Sequence, residues 1–145
     1  MRNLAATVEM LLLFDKNMPL IIQEYIKTDY DVRVIVVAGE VMGGMKRPIV
    51  KGDFRSNVSQ GSEPEIHELT ELEISESLRA AKAVGGDVVG VDFIPAKNRE
   101  KDKPFFIEVN SNPGLKGIEG VFSKQFSMTK KILTTYMNRD NWRKQ

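Results

Sequence analysis

Two apolar runs that each carry an acid constrain this chain most. "DVVGVDFIP", residues 87–95, and "PFFIEVN", residues 104–110, are rich in Val, Ile and Phe, and the polar "AKNREKDK" separates them. Runs of this composition, bounded by turn residues, predict two strands joined as a hairpin. Side chains alternate along a strand, which predicts Phe106, Glu108 and Asn110 on one face and Phe105, Ile107 and Val109 on the other. Asp92 lies among Val89, Gly90, Val91, Phe93 and Ile94, where an unpaired carboxylate is costly to bury. If the strands pair, Asp92 faces Glu108 and Asn110, and two carboxylates with an amide oxygen surround one point. Anions that close repel unless a cation separates them, and hard oxygen donors suit Mg²⁺ or Mn²⁺. The alternative is that Asp92 pairs with Arg or Lys while Asn110 caps the turn. Spacing alone leaves both open.

The rest of the chain supplies the elements to build around this hairpin. Leu4, Val8, Leu11 and Leu12 recur at helical spacing over residues 2–16, with Asn17 and Pro19 as stop signals. "LIIQEYI" and "DVRVIVVAGEVMGGM" predict strands, the latter folded back on itself at Gly39 and Glu40. Residues 48–66 hold Pro, Gly, Ser, Asn and Asp without periodicity, as an active-site loop would. Thr70 and Glu73 form a capping box for a helix through Ile74, Leu78 and Ala81 that stops at Gly85 and Gly86. "GLKGIEG" lacks both the dinucleotide fingerprint and a Walker ending, so Gly114, Gly117 and Gly120 predict a turn with positive φ at one or two of them. A last helix is expected over 123–138, burying Phe126, Ile132, Leu133 and Tyr136. His67, the only His, stands beside Glu65 and Glu68 and is expected at the surface.

Composition removes whole classes of function. At 145 residues and 41% hydrophobic, the chain is expected to form one domain. Its 21 basic and 20 acidic residues balance, so no net field recruits nucleic acid or an anionic membrane. No apolar run reaches the roughly 20 residues of a bilayer span, and a cytoplasmic location is expected. The absence of Cys excludes a disulfide framework, a thiolate zinc site and a Cys nucleophile.

Taken in order, "QEYI", "DVRVIVV", "KGDFRSN", "GVDF" and "IEVNSNPGLKGIE" resemble the C-terminal half of an ATP-grasp ligase, specifically the RimK-type glutamate ligases. The resemblance implies an α+β fold, the ATP-grasp C-terminal subdomain, with a mainly antiparallel sheet flanked by helices over residues 1–145. It implies an adenine hinge at Gln23, Glu24, Tyr25 and Ile26, a ribose-binding acid at Asp31 and a nucleotide-binding arginine at Arg55. Arg47 and Asn57 would serve the phosphate and acyl-phosphate region, and Asp92, Glu108 and Asn110 would be Mg²⁺ ligands. The implied cofactors are ATP and two Mg²⁺ (or Mn²⁺) ions. The implied reaction is phosphorylation of a carboxylate, then attack of an amine, with glutamate and a carboxylate-bearing protein or small-molecule acceptor as substrates. Whether the chain forms a homo-oligomer is left open. Enzymes of this type carry an N-terminal domain and a glycine-rich flap with phosphate-binding lysines, and neither matches this sequence. The chain is therefore expected to be a portion of the fold that binds Mg·ATP weakly and turns over little. The alternative is a nucleotide- or partner-binding module that kept the fold and lost the reaction.

Overall fold

Two hairpins, each closed by local turn chemistry, account for four of the five strands of the central sheet. The computed structural model describes residues 4–49 and 63–138. Strands β1 (Tyr30–Val37) and β2 (Glu40–Pro48) meet at a two-residue turn in which Ala38 and Gly39 both have positive φ. That backbone matches the right-handed twist of paired strands, and it sets the turn one residue earlier than Gly39–Glu40. Strands β4 (Val88–Ile94) and β5 (Phe105–Asn110) form the second hairpin, as the apolar runs predict. A short strand, β3 (Glu65–His67), pairs with β2 and gives the antiparallel order β3-β2-β1-β4-β5. The segment "LIIQEYI" is neither helix nor strand, because no sheet edge among the described residues pairs with it; Ile21 is 88% exposed.

The two faces of the sheet are covered differently. Val32, Val34 and Val36 of β1, with Val89, Val91 and Phe93 of β4, pack beneath α2 (Glu71–Val84) around Ala81 and Leu78. This helix begins where the capping box puts it: Glu73 N–H donates to Thr70 Oγ1 at 3.2 Å, and Thr70 N–H donates to Glu73 Oε2 at 3.1 Å. It ends at Gly85, whose φ of 66° is left-handed. On the opposite face Ile35, Val37 and Met45 pack against α3 (Lys116–Phe122) and α4 (Met128–Met137) through Ile118, Phe122, Met128 and Ile132.

Three expectations fail here for one reason, that tertiary contact outweighs local pattern. "KGIEGVF" is a helix, not a turn, and among the described residues the only glycines with positive φ are Gly39 and Gly85. Ile118 and Phe122, four apart, bury into the sheet and hold that helix despite its glycines. Leu133 is 57% exposed, whereas Ile132 is buried and Phe126 and Tyr136 are half-buried against the core. His67 is buried, since it hydrogen-bonds Glu73 and pairs into the sheet opposite Gly44. The first helix, α1 (Leu4–Phe14), forms as its periodicity predicts but buries none of its residues. Among the described residues no helix is long and apolar enough to cross a membrane.

Candidate functional site

Antiparallel register builds a charged row across four strands. Arg47 of β2 lies opposite Asp31 of β1, Arg33 of β1 opposite Asp92 of β4, and Asp92 opposite Glu108 of β5. Directly paired residues share a face, so all five point to the side that α3 and α4 cover at its other end. The helices stop short of the row, and it stays open as the floor of a cleft of about 500 Å³. Gln23, Glu24, Tyr25 and Ile26 line the same cleft from the segment preceding β1. The four expected hinge positions are thereby joined by Asp31, Arg47, Asp92 and Glu108 in one place. Asn110 is two residues beyond Glu108 and pairs with Gly90, but it does not line the cleft. Arg55 and Asn57 lie outside the described residues.

A bulge corrects the predicted alternation in β5. Phe93 pairs with Phe106 and Asp92 with Glu108, so Ile107 is an extra residue without a partner on β4. The phase therefore flips between Phe106 and Glu108. Phe106 goes with Phe93, the two rings meeting edge-on at 6.4 Å, while Phe105 joins the Glu108 face through its pairing with Ile94. Asp92, Glu108 and Asn110 remain on one face because all three follow the bulge or lie on the regular partner strand.

The row is held by guanidinium forks. Arg47 donates from Nε to Asp31 Oδ1 at 2.7 Å and from Nη2 to Asp31 Oδ2 at 2.9 Å, and Nη2 also reaches Asp92 Oδ2 at 2.8 Å. Arg33 grips Asp92 with two bonds, Nε to Oδ1 at 2.7 Å and Nη2 to Oδ2 at 2.6 Å. Burial works against the Arg47 charge, but the hydrogen bond to Asp31 and the attraction of Asp92 and Asp31 outweigh it and raise its pKa. Asp92, only 4% exposed, is thus paired with two arginines, and Asn110 Oδ1 accepts from the Asn112 N–H at 2.8 Å. Both features of the alternative set out from the sequence are present. Glu108 is exposed, and its side chain has no hydrogen bond or ion pair among the described residues.

These donors fit a divalent cation chemically. Two guanidiniums face three carboxylates in the row, and the two on Asp92 leave Glu108, directly opposite it, as the acid that a further cation would neutralise. Among the described residues no set of three or more His, Cys, Asp or Glu is grouped for a metal. Arg33 is the residue that the sequence reading missed. It stands two positions after Asp31 on the same strand, and the period of two alone puts it on the same face.

The comparisons with known proteins agree with this architecture. The model of the RimK-like ATP-grasp domain matches residues 3–135. A protein of Shewanella denitrificans named probable alpha-L-glutamate ligase 2 is 45% identical over 102 residues, 69% of this chain and 33% of that protein. The ATP-grasp ligase PsnB, solved with a phosphomimetic variant of its minimal precursor, Mg and ADP, superposes with a TM-score of 0.52 at 26% identity, covering 66% of this chain and 29% of its own. D-alanine–D-alanine ligase from Bacillus anthracis, solved with ATP, gives a TM-score of 0.61 at 21% identity over 94% of this chain and 47% of its own, a likeness of fold alone. The chain spans about a third of the length of the curated relatives it matches. With a family model matched over most of its residues and an antiparallel sheet shared with solved ATP-grasp ligases, the chain belongs to the RimK-like ATP-grasp family.

Proposed function

We propose that this chain supplies the C-terminal catalytic portion of an ATP- and Mg²⁺-dependent ligase that joins an amine, glutamate in the favoured case, to a carboxylate through an acyl phosphate. The observation that carries the reading is the single cleft on which the hinge segment 23–26 and the row Asp31, Arg47, Asp92 and Glu108 converge. The curated relatives' printed name, alpha-L-glutamate ligase, supports glutamate as a substrate, and the role of amine is our assignment. PsnB, solved with Mg, ADP and a phosphomimetic variant of its minimal precursor, supports a magnesium–nucleotide cofactor.

In this reading the backbone of Gln23–Ile26 meets the purine edge and Asp31 the ribose hydroxyls. Arg47, anchored by Asp31, presents its remaining donor capacity to a phosphate, where a rigid guanidinium suits a bidentate anion. Asp92, Glu108 and Asn110 would hold Mg²⁺, which when bound neutralises charge on the phosphate chain. Arg55 and Asn57 are proposed to complete the phosphoryl and acyl-phosphate region. No side chain has to act as a nucleophile, so positioning and charge do most of the catalytic work.

Glu108→Gln tests this. Carboxylate-dependent ADP release from ATP, with glutamate as the amine, is expected to fall by about two orders of magnitude, the scale on which a preorganised charge partner acts. The assay is run on the 145-residue chain and on any longer product of the same reading frame, and the 145-residue chain is expected to turn over little. An unchanged rate in Glu108→Gln rejects the metal assignment. ATP binding with no carboxylate-dependent turnover in any form favours the second reading, a binding module, which the double guanidinium grip on Asp92 also favours.

A further inference from the structure

We propose that Arg33 is a phosphate-binding residue kept on Asp92 until a divalent cation takes that carboxylate, so that cation arrival frees a guanidinium for the nucleotide. The proposal rests on the metal and nucleotide reading above and adds to it a residue and a coupling.

The partners of the two arginines set them apart. Arg47 forks onto Asp31 with both Nε and Nη2 and reaches Asp92 with one further contact, so losing Asp92 leaves it anchored. Arg33 has both of its side-chain hydrogen bonds on Asp92. Its side chain is also the more accessible, 18% exposed against 9% for Arg47, and it lines the cleft. Asp92 in turn accepts three hydrogen bonds, one on Oδ1 and two on Oδ2, out of the roughly four a carboxylate can take.

A divalent cation on Asp92 therefore needs lone pairs that Arg33 occupies, and it repels a guanidinium at that range. The two compete for one carboxylate. Glu108, directly opposite Asp92 and without a partner among the described residues, gives the cation a reason to win. Once displaced, Arg33 has no other acceptor among its present contacts, and it faces a cleft of about 500 Å³ bordered by Gln23–Ile26. A planar fork in that position matches phosphate oxygens. Cation and nucleotide then bind with positive coupling, each raising the other's affinity by the same factor. Arg33 acts on both sides of that coupling, since it opposes the cation when alone and supports the nucleotide afterwards.

The test uses Mn²⁺ as the probe, followed by water-proton relaxation, and ADP binding by calorimetry with and without Mn²⁺, all on the 145-residue chain with folding checked by circular dichroism. Arg33→Met is expected to bind Mn²⁺ alone roughly tenfold more tightly and to lose roughly tenfold of the gain in ADP affinity that Mn²⁺ confers on the wild type, the scale of one charge-assisted fork. Arg33→Lys keeps the charge without the fork and is expected to fall between, which preserves the test if the Met variant does not fold. A purely structural role for Arg33 lowers Mn²⁺ affinity or leaves it unchanged, and either result overturns the proposal. Asp92→Asn separates the two levels. If it binds Mn²⁺ as the wild type does, the metal reading fails and this inference with it. If it loses Mn²⁺ while Arg33→Met gains none, only the Arg33 inference fails. No measurable Mn²⁺ binding in any of the chains overturns both.

Discussion

Glu73 shows how much one carboxylate can do in a fold of this size. Only 1% exposed, it closes the capping box with Thr70, bonds His67, and takes a two-pronged grip from Arg99, Nε to Oε1 at 2.9 Å and Nη2 to Oε2 at 2.8 Å. Arg99 comes from the turn between β4 and β5 and also donates to the Glu68 carbonyl, so it ties that hairpin to β3 and to the start of α2. Burial alone would raise the Glu73 pKa, yet the hydrogen bonds from Arg99, His67 and the Thr70 N–H hold it at about 2 against a reference of 4.5. A carboxylate depressed in this way stabilises the fold fully above pH 4.5, and that contribution is lost as pH falls toward about 2. Arg99→Met is expected to cost on the order of 2 kcal/mol at neutral pH and to flatten the loss of stability on the acid side. Urea unfolding of both proteins from pH 7 down to the acid limit measures it. Parallel stability curves across that range would show that Arg99 does not set the Glu73 pKa. The sequence reading placed Glu73 in the cap but gave no sign of Arg99, because the contact spans 26 residues and depends on where the hairpin turn lands.

At the scale of elements, close backbone approach decides where the β5 end sits. Gly90 of β4 pairs with Asn110, and a Cβ at Gly90 would lie 2.8 Å from Pro113 Cβ. The Pro113 ring is rigid and buried, so it cannot yield as a flexible side chain tip would. Gly90→Ala is expected to destabilise by about 1–3 kcal/mol and to displace the turn after β5. The Asn112 amide, bonded to Asn110 Oδ1, reports that displacement as a shift in an amide correlation spectrum. Thr70→Ala serves as a comparison, because it removes the α2 cap at a cost of about 1 kcal/mol without contact to that turn. An unmoved Asn112 amide in Gly90→Ala would show that Pro113 does not fix the end of β5. The hairpins, the cap of α2 and its glycine stop were all legible, since each is written within a few consecutive residues. The bulge at Ile107, the three residues of β3 and the helix α3 were not. Each exists because a neighbouring element offers a partner, and the local pattern of β5 and of "KGIEGVF" points elsewhere.

Across the whole molecule, stability is concentrated in the sheet and absent from the first helix. Val32, Val34, Ile35, Val37, Val89, Val91 and Phe93 are fully buried, whereas α1 buries no residue and leaves Leu13 and Phe14 at 84% and 82% exposure. An 11-residue helix without a packed face is marginal in water, below the roughly 12–15 residues at which isolated helices begin to persist. Hydrogen exchange is expected to find α1 amides unprotected while β1 and β4 exchange only through global unfolding. Protection of α1 equal to that of β1 would contradict this. Period-two alternation, turn residues and the capping box settle which segments become β1, β2, β4, β5 and α2, and the acids and arginines were already spaced along those strands to share a face. The sequence by itself therefore determined those five elements and most members of the charged row, because these follow from interactions over a few residues. Which arginine holds which carboxylate, the burial of His67 against Glu73, and the convergence of residues 23–26 with Asp92 and Glu108 on one cleft were decided only by tertiary structure. Those outcomes depend on strand order and register, and they join residues dozens of positions apart that no local pattern relates.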